Sequence, residues 1–161
     1  MAEKESLAQR GLGFLGFAIL ILVAAMVIAA IYFLVFVPQQ APPVEVTKIE
    51  LTPNKITSDQ VAVLTVTLEN RDRKDHVVTI KFEADPEVVV YDPQGERIQR
   101  QDTICNYTFK LSKELPSMTQ TFNIGGELGK GKTAATCIVR VYVICDGEKI
   151  KEYEATLSIE K

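Results

Sequence analysis

The sequence predicts a single N-terminal transmembrane α-helix followed by an all-β sandwich of seven or eight antiparallel strands. An uncharged apolar segment at residues 11–37 predicts the helix, because about 20 such residues suffice to cross a bilayer. Short β-branched runs separated by turn-forming residues predict the sandwich. The chain of 161 residues, 47% of them hydrophobic, has room for one such domain.

The apolar segment is too long for a cleaved secretory signal, whose apolar core has about 7–15 residues. Lys4 and Arg10 precede it, and no basic residue follows until Lys48, so the positive-inside rule places the N-terminus in the cytoplasm. The alternative is a helix buried in a soluble core. We therefore expect a single-pass protein of the cell membrane with a cytoplasmic tail at 1–10, a transmembrane helix at 11–37, a Pro-rich linker at 38–43 and an extracytoplasmic domain at 44–161.

Eight segments of the domain have the residue pattern of strands, and their even spacing favours a sandwich over a barrel. Between the last two, Asp146-Gly147 is a two-residue hairpin signal. The predicted strands are Val44–Leu51, Val61–Leu68, His76–Ala84, Glu87–Tyr91, Thr103–Leu111, Thr119–Ile124, Ala135–Cys145 and Glu148–Glu160.

Three cysteines lie in the domain. Cys137 and Cys145 are on one predicted strand, roughly 26 Å apart at 3.3 Å per residue, and cannot pair with each other. An intrachain disulfide would therefore join Cys105 to Cys145 or Cys137, and the odd cysteine would be free or linked to a partner. The alternative is three reduced cysteines that pack in the core. The sequence contains no CxxC-type pair that would indicate a metal site.

Two short segments match known functional motifs. Asn106-Tyr107-Thr108 is an acceptor pattern for N-glycosylation, although such patterns also arise by chance. Residues 126–133 fit the phosphate-binding pattern G-x-x-x-x-G-K-[ST], but that motif must open a helix. A β-branched run follows instead and leaves no room for a crossover helix, so we interpret the segment as a flexible Gly/Lys hairpin loop.

Charge and side-chain chemistry exclude several classes of site. A net charge of −3 argues against a nucleic-acid binder driven by positive charge. His76 is the sole histidine, which excludes His₃ zinc and His₂Cys copper centres, and we expect it to be hydrogen-bonded or solvent-facing. Asp85, Glu87 and Asp92 could bind calcium loosely but are more typical of solvated loops. We expect no catalytic, cofactor or metal residue, no room for a catalytic lobe, and hence no enzyme.

The segment that begins LTPNKITSDQVAVLTVTLEN resembles the opening strands of immunoglobulin-like adhesion or accessory domains in archaeal and bacterial surface proteins. This resemblance implies an immunoglobulin-like sandwich and no specific activity. The matching residues are Thr65, Val66, Leu68, Asn70, Val78 and Ile80.

Arg10-Gly11-Leu12 before the apolar segment resembles the processing site of archaeal type IV pilins and archaellum components. The resemblance implies cleavage after Gly11 and a helix that packs in a filament core. The Pro-rich spacer and Gly13 and Gly16 depart from the pilin pattern. A membrane-anchored component such as an archaellum stator protein fits the spacer better.

Two functions follow as expectations. The first is a membrane-anchored sandwich that acts by protein–protein interaction at the cell surface or in a membrane complex. The alternative is a pilin-like filament subunit. The expected partners are the lipid bilayer and unidentified proteins, self-assembly included, without nucleic acid.

Overall fold

The computed structural model describes residues 19–32 and 42–161, and the chain divides into two compact units at residues 1–41 and 42–161. In the first unit, residues 19–32 form the helix α1, whose large apolar side chains are exposed. The predicted tail at 1–10, the processing residues Arg10, Gly11 and Leu12, and most of the linker at 38–43 lie outside the described residues.

The predicted transmembrane helix at 11–37 is wrong. Among the residues that the structure describes, no helix combines the length and the apolar character needed to cross a membrane. The predicted single-pass membrane localisation, with a cytoplasmic N-terminus and an extracytoplasmic domain, depends on that helix and is therefore wrong as well.

The second unit contains nine strands in two sheets that face each other. Eight of them match the predicted segments within three residues, and the short β2 was not predicted. The strands are β1 (Val44–Thr52), β2 (Lys55–Thr57), β3 (Val61–Asn70), β4 (His76–Ala84), β5 (Val88–Tyr91), β6 (Ile104–Leu111), β7 (Ser117–Gly126), β8 (Ala134–Cys145) and β9 (Glu148–Glu160).

Sheet A has the strand order β1-β3-β7-β5, and sheet B has the order β2-β9-β8-β4-β6. Without β2 and β6, these are the two sheets of the constant-type immunoglobulin sandwich. The prediction of antiparallel pairing throughout needs one correction, because β2 pairs with β9 in parallel. The chain leaves sheet A after β1 and enters sheet B as β2, and a parallel neighbour so distant in sequence has no local signature.

Alternation along the strands builds the core between the sheets. In β3, for example, Leu64, Val66 and Leu68 are fully buried while the residues between them are more exposed. Phe82 of sheet B and Phe122 of sheet A meet edge to face with ring centroids 5.1 Å apart. This contact ties the two sheets together, and burial of such aromatic rings is a large part of core stability.

Candidate functional site

Four strands lie at the outer edges of the two sheets, and two of them are too short or too covered to pair with another chain. β2 has only three residues. β5 has four, and its outer side is occupied, because Ile98 donates its N–H to the carbonyl of Val90 at 2.9 Å and Arg97 bridges Tyr91.

β1 is longer but carries the features that protect sheet edges. Its register with β3 shifts between Val46 and Lys48. Glu45 pairs with Arg71, and Lys48 pairs with Glu50 at 2.9 Å. Bulges and charged side chains hinder edge-to-edge pairing, so β1 is a poor site for strand addition.

β6 is less protected: Gln101 bridges only its first residue, Ile104, at 2.8 and 3.1 Å, and among the described residues the outer side of the remaining seven is open. Its register with β4 has no shift, and its single charged residue is Lys110, which pairs with Asp75 at 2.7 Å. No strand of the described chain pairs with its outer side. Beyond Ile104, β6 is therefore the one long and regular edge among the described strands that no other segment covers.

The hydrogen-bond pattern shows which amide groups of β6 face outward. Ala84 donates its N–H to the carbonyl of Thr103 at 3.0 Å, and hydrogen-bonded pairs alternate with non-bonded pairs in an antiparallel ladder. In the same register, the backbone N–H and C=O groups of Asn106, Thr108 and Lys110 point away from β4. These three residues can form a ladder with an added strand.

The margin of the core is only partly covered beside this edge. Residues 117–122 of β7 pair with β3 on one side and with no described strand on the other. Tyr107, Phe109 and Met118 pack against the core yet stay half-buried. We call this opening between β6 and the first part of β7 the seam. Tyr107 forms its wall, with its ring 5.3 Å from that of Phe122.

The connection between β6 and β7 closes one end of the seam. The side-chain amide of Asn70 donates to the carbonyls of Lys74 at 2.8 Å and Ser112 at 3.2 Å. The carboxylate of Asp75 accepts the N–H of Lys113 at 2.8 Å. These bonds anchor the connection to the turn between β3 and β4.

A second group of polar side chains surrounds His76, which is 5% exposed. Its Nδ1 lies 2.6 Å from Oδ2 of Asp146, and its Nε2 lies 2.7 Å from Oδ1 of Asp72. Cys145 donates toward Asp146 at 3.8 Å, and Val77 donates its N–H to Oδ1 of Asp146 at 2.9 Å. We call His76, Cys145, Asp146 and Asp72 the histidine cluster.

Hydrogen bonds and burial shift the pKa values of the groups in the cluster. The hydrogen bond to Asp146 raises the pKa of His76 above its ordinary value; burial opposes this shift and the bond to Asp72 adds to it. Burial raises the pKa of the Cys145 thiol to about 11. His76 is buried and its two ring nitrogens are both hydrogen-bonded. Of the two environments expected from the sequence, hydrogen-bonded or solvent-facing, the first is the one found.

Sequence reasoning missed the partners of His76, because Asp146 lies 70 residues away in the chain. One signal was available. The predicted Asp146-Gly147 turn, in which both residues have positive φ (49° and 90°), places Asp146 directly after the end of β8. Asp146 must therefore lie close to the strand that pairs with that end of β8. That strand is β4, which begins with His76.

The three cysteines are free and buried. Cys105 is on β6, and Cys137 and Cys145 are on β8, with β4 between the two strands. Two strand spacings of about 4.8 Å already separate the Cα atoms by more than the roughly 7 Å that a disulfide bridges. The structure therefore brings Cys105 together with neither Cys145 nor Cys137, and the predicted disulfide is corrected to free core thiols.

Asn106, the predicted glycosylation residue, is exposed on β6, while its neighbour Cys105 is buried. Its side chain thus points away from the core, as expected from the alternation of the strand. Its modification stays a prediction.

The phosphate-binding pattern at residues 126–133 does not open a helix. Gly126 ends β7, and the strand β8 begins at Ala134. Lys132 forms an ion pair with Glu87. The loop joins sheet A to sheet B, so the expected hairpin is corrected to a connection between the sheets.

The three carboxylates considered for calcium each have other partners. Asp85 accepts the N–H of Ile138 at 2.8 Å. Glu87 pairs with Lys132. Asp92 accepts two backbone N–H groups of its own turn, at 2.8 and 2.9 Å. These bonds position loops, and the three carboxylates do not converge.

No family model and no curated protein matches the chain. Several solved structures are similar to it, among them the following three. The alkylpurine DNA glycosylase AlkC of Pseudomonas fluorescens, bound to DNA containing an abasic site analog, has 13% identity and a TM-score of 0.45 over 74% of this chain and 31% of that one. AvmM, which catalyses macrocyclization in alchivemycin A biosynthesis, has 9% identity and a TM-score of 0.42 over 75% and 90%.

The ASH/PapD-like domain 7 of human CEP192 has 16% identity and a TM-score of 0.32 over 77% of this chain and 90% of that domain. The chain spans about a third of the glycosylase. Since every TM-score is below 0.5, no activity or partner is carried over from these proteins. None of the three is a pilin or an archaellum protein.

The expectation that the chain is no enzyme does not stand. Two of these three structures are named for catalysis, one as a DNA glycosylase and one as a macrocyclization catalyst.

Proposed function

We propose that the sandwich binds an extended segment of a partner protein by adding it as a strand to β6. One observation carries the proposal: the outward amide groups of Asn106, Thr108 and Lys110 lie on a regular edge that no described strand covers. Such an edge supplies main-chain hydrogen bonds for affinity, and pockets for alternate side chains add specificity.

The seam indicates the chemistry of the partner segment. In an added strand, alternate side chains point toward sheet A. There they would cover Phe109 and Met118, which point inward yet remain half-buried. Burial of this apolar surface contributes roughly 25 cal/mol per Å². The preferred partner is therefore an extended segment with apolar residues at every second position and polar residues between them.

The alternative function, a pilin-like filament subunit, rests on Arg10, Gly11 and Leu12, which lie outside the described residues. It stays a prediction. Self-assembly through β6 would be one form of strand addition, with a second copy as the partner.

Thr108 permits a sharp test of the proposal. Proline lacks an N–H, and the N–H of Thr108 points away from β4, so Thr108→Pro removes a donor for an added strand without removing a bond to β4. We would select displayed random octapeptides on the full-length chain and measure their Kd by isothermal titration calorimetry. We expect Thr108→Pro to weaken binding at least about ten-fold, the effect of losing one hydrogen bond.

The matched control is Thr108→Val, which keeps the N–H but loses the hydroxyl contact with Thr79 at 2.9 Å. It should bind within about two-fold of the wild-type chain. Circular dichroism checks that both variants fold. Failure to select any peptide, or equal binding by the proline and valine variants, would overturn the proposal.

A further inference from the structure

We propose that His76 Nδ1, Cys145 Sγ and Asp146 Oδ2 bind a divalent transition-metal ion of the zinc class. These three atoms lie within 4.8 Å of one another. Imidazole, thiolate and carboxylate are the three ligand types that zinc uses in proteins. The site is separate from β6 and does not depend on the proposed strand addition.

The backbone holds the three ligands on a rigid frame. Cys145 pairs with Val78 in the ladder between β8 and β4. Asp146 donates its N–H to the carbonyl of Val77 at 2.9 Å, and its Oδ1 accepts the N–H of Val77 at the same distance. The turn is thereby fixed to the start of β4, so the ligands converge without ordering a loop. Such pre-organisation favours binding.

Asp72 occupies the position of a supporting carboxylate. Its Oδ1 lies 2.7 Å from Nε2 of His76, the ring nitrogen opposite the proposed ligand atom. Histidines that bind metals almost always donate their other N–H to a carboxylate, a carbonyl or water, which fixes the ring and its tautomer. Asp72 would hold the proton at Nε2 and leave Nδ1 to the metal.

A bound ion requires one small movement. Zinc bonds of about 2.0 Å to nitrogen and oxygen in a tetrahedral site hold those two atoms about 3.3 Å apart, whereas His76 Nδ1 and Asp146 Oδ2 are 2.6 Å apart. The side chain of Asp146 is 50% exposed and can open toward solvent, where water completes the coordination. The ion replaces the protons on Nδ1 and on the thiol, which pass to solvent.

Co²⁺ is the probe for this site, because thiolate ligands give it a charge-transfer band in the near ultraviolet. We expect titration of the full-length chain to produce that band, to saturate at about one equivalent, and to be reversed by Zn²⁺. Cys145→Ser should abolish the band. Cys105→Ser and Cys137→Ser, which change other buried thiols, should retain it. Asp72→Asn should weaken affinity about 10–100-fold, the usual effect of losing a supporting carboxylate.

Asp146→Asn is the second variant, chosen because the change lies at a half-exposed turn and its amide oxygen still accepts the N–H of Val77. We expect at least a ten-fold loss of Co²⁺ affinity with an unchanged circular dichroism spectrum. A wild-type chain without the band, a band that persists in Cys145→Ser, or undiminished affinity in Asp146→Asn would overturn the proposal and leave a hydrogen-bonded cluster only.

Discussion

The two halves of β7 differ in how completely the fold surrounds them. Residues 123–126 pair with β5, and up to Gly125 also with β3; Ile124, Gly125 and Gly126 are buried. Residues 117–122 pair with β3 alone, and the inward-facing Met118 in this half is only half-buried. The same strand is thus closed at its end and open at its start, and the open half is the one that faces the seam.

The difference follows from the length of β5, whose four residues reach only the second half of β7. An edge strand that stops early leaves the backbone groups of its neighbour unpaired and exposes the side chains beneath them. Because the inward side chains from Phe122 onward are fully buried, stability should depend mainly on that end of the strand. Binding should depend on the open half.

Substitution of Phe122, at the boundary between the halves, should have the largest effect. Its ring is fully buried and contacts both Phe82 and Tyr107. We expect Phe122→Ala to lower the free energy of unfolding by about 3–5 kcal/mol, as buried phenylalanines do. Met118→Ala in the open half should cost less than about half as much, because that side chain is already partly hydrated. Urea denaturation measures both, and equal losses would contradict the comparison.

Gly126 tests the tightness of the closed half. A Cβ at this position would lie 2.5 Å from Cγ2 of Ile159 in β9, closer than van der Waals contact permits. We expect Gly126→Ala to lower the free energy of unfolding by about 1–3 kcal/mol through overpacking. Gly129→Ala is the control, because nothing lies within 4 Å of its Cβ, and thermal denaturation should barely distinguish it from the wild-type chain. An equally stable Gly126→Ala variant would show that the two sheets are less tightly packed here.

Most strands of the sandwich could be predicted from sequence, because local alternation of apolar and polar residues and turn-forming residues between them mark each strand. Alternation in β6 and β8 puts Cys105 and Cys145 on inward faces, and both are buried. The order of strands within a sheet has no such local signal. The disulfide prediction failed for that reason, since β4 lies between the two cysteines.

Neither candidate site could be read from the sequence. The seam exists because β5 is short and β6 is outermost, which are properties of the whole sheet. The histidine cluster joins residues from the turn before β4 and the turn after β8, far apart in the chain. The motif that looked most functional, at residues 126–133, is a connection in which Gly126 serves packing against Ile159.

The smallest effect concerns Asp75, which anchors the connection that precedes the open half of β7. Its hydrogen bond with Lys110, reinforced by the N–H of Lys113, lowers the pKa of the Asp75 carboxyl below its ordinary value. Because the folded-state pKa is below the unfolded-state pKa, this carboxylate stabilises the fold at pH values above the unfolded pKa. The contribution is lost as the pH falls through the folded pKa.

We therefore expect Asp75→Asn to be slightly less stable than the wild-type chain at neutral pH, and the difference to shrink as the pH falls below about 4, the unfolded-state pKa. Urea denaturation of both proteins between pH 7 and pH 3 measures it. Added salt should shrink the part due to Lys110, because exposed pairs are screened, and leave the hydrogen bond from Lys113. A difference that persists unchanged at pH 3 would mean that Asp75 acts through packing and not through its charge.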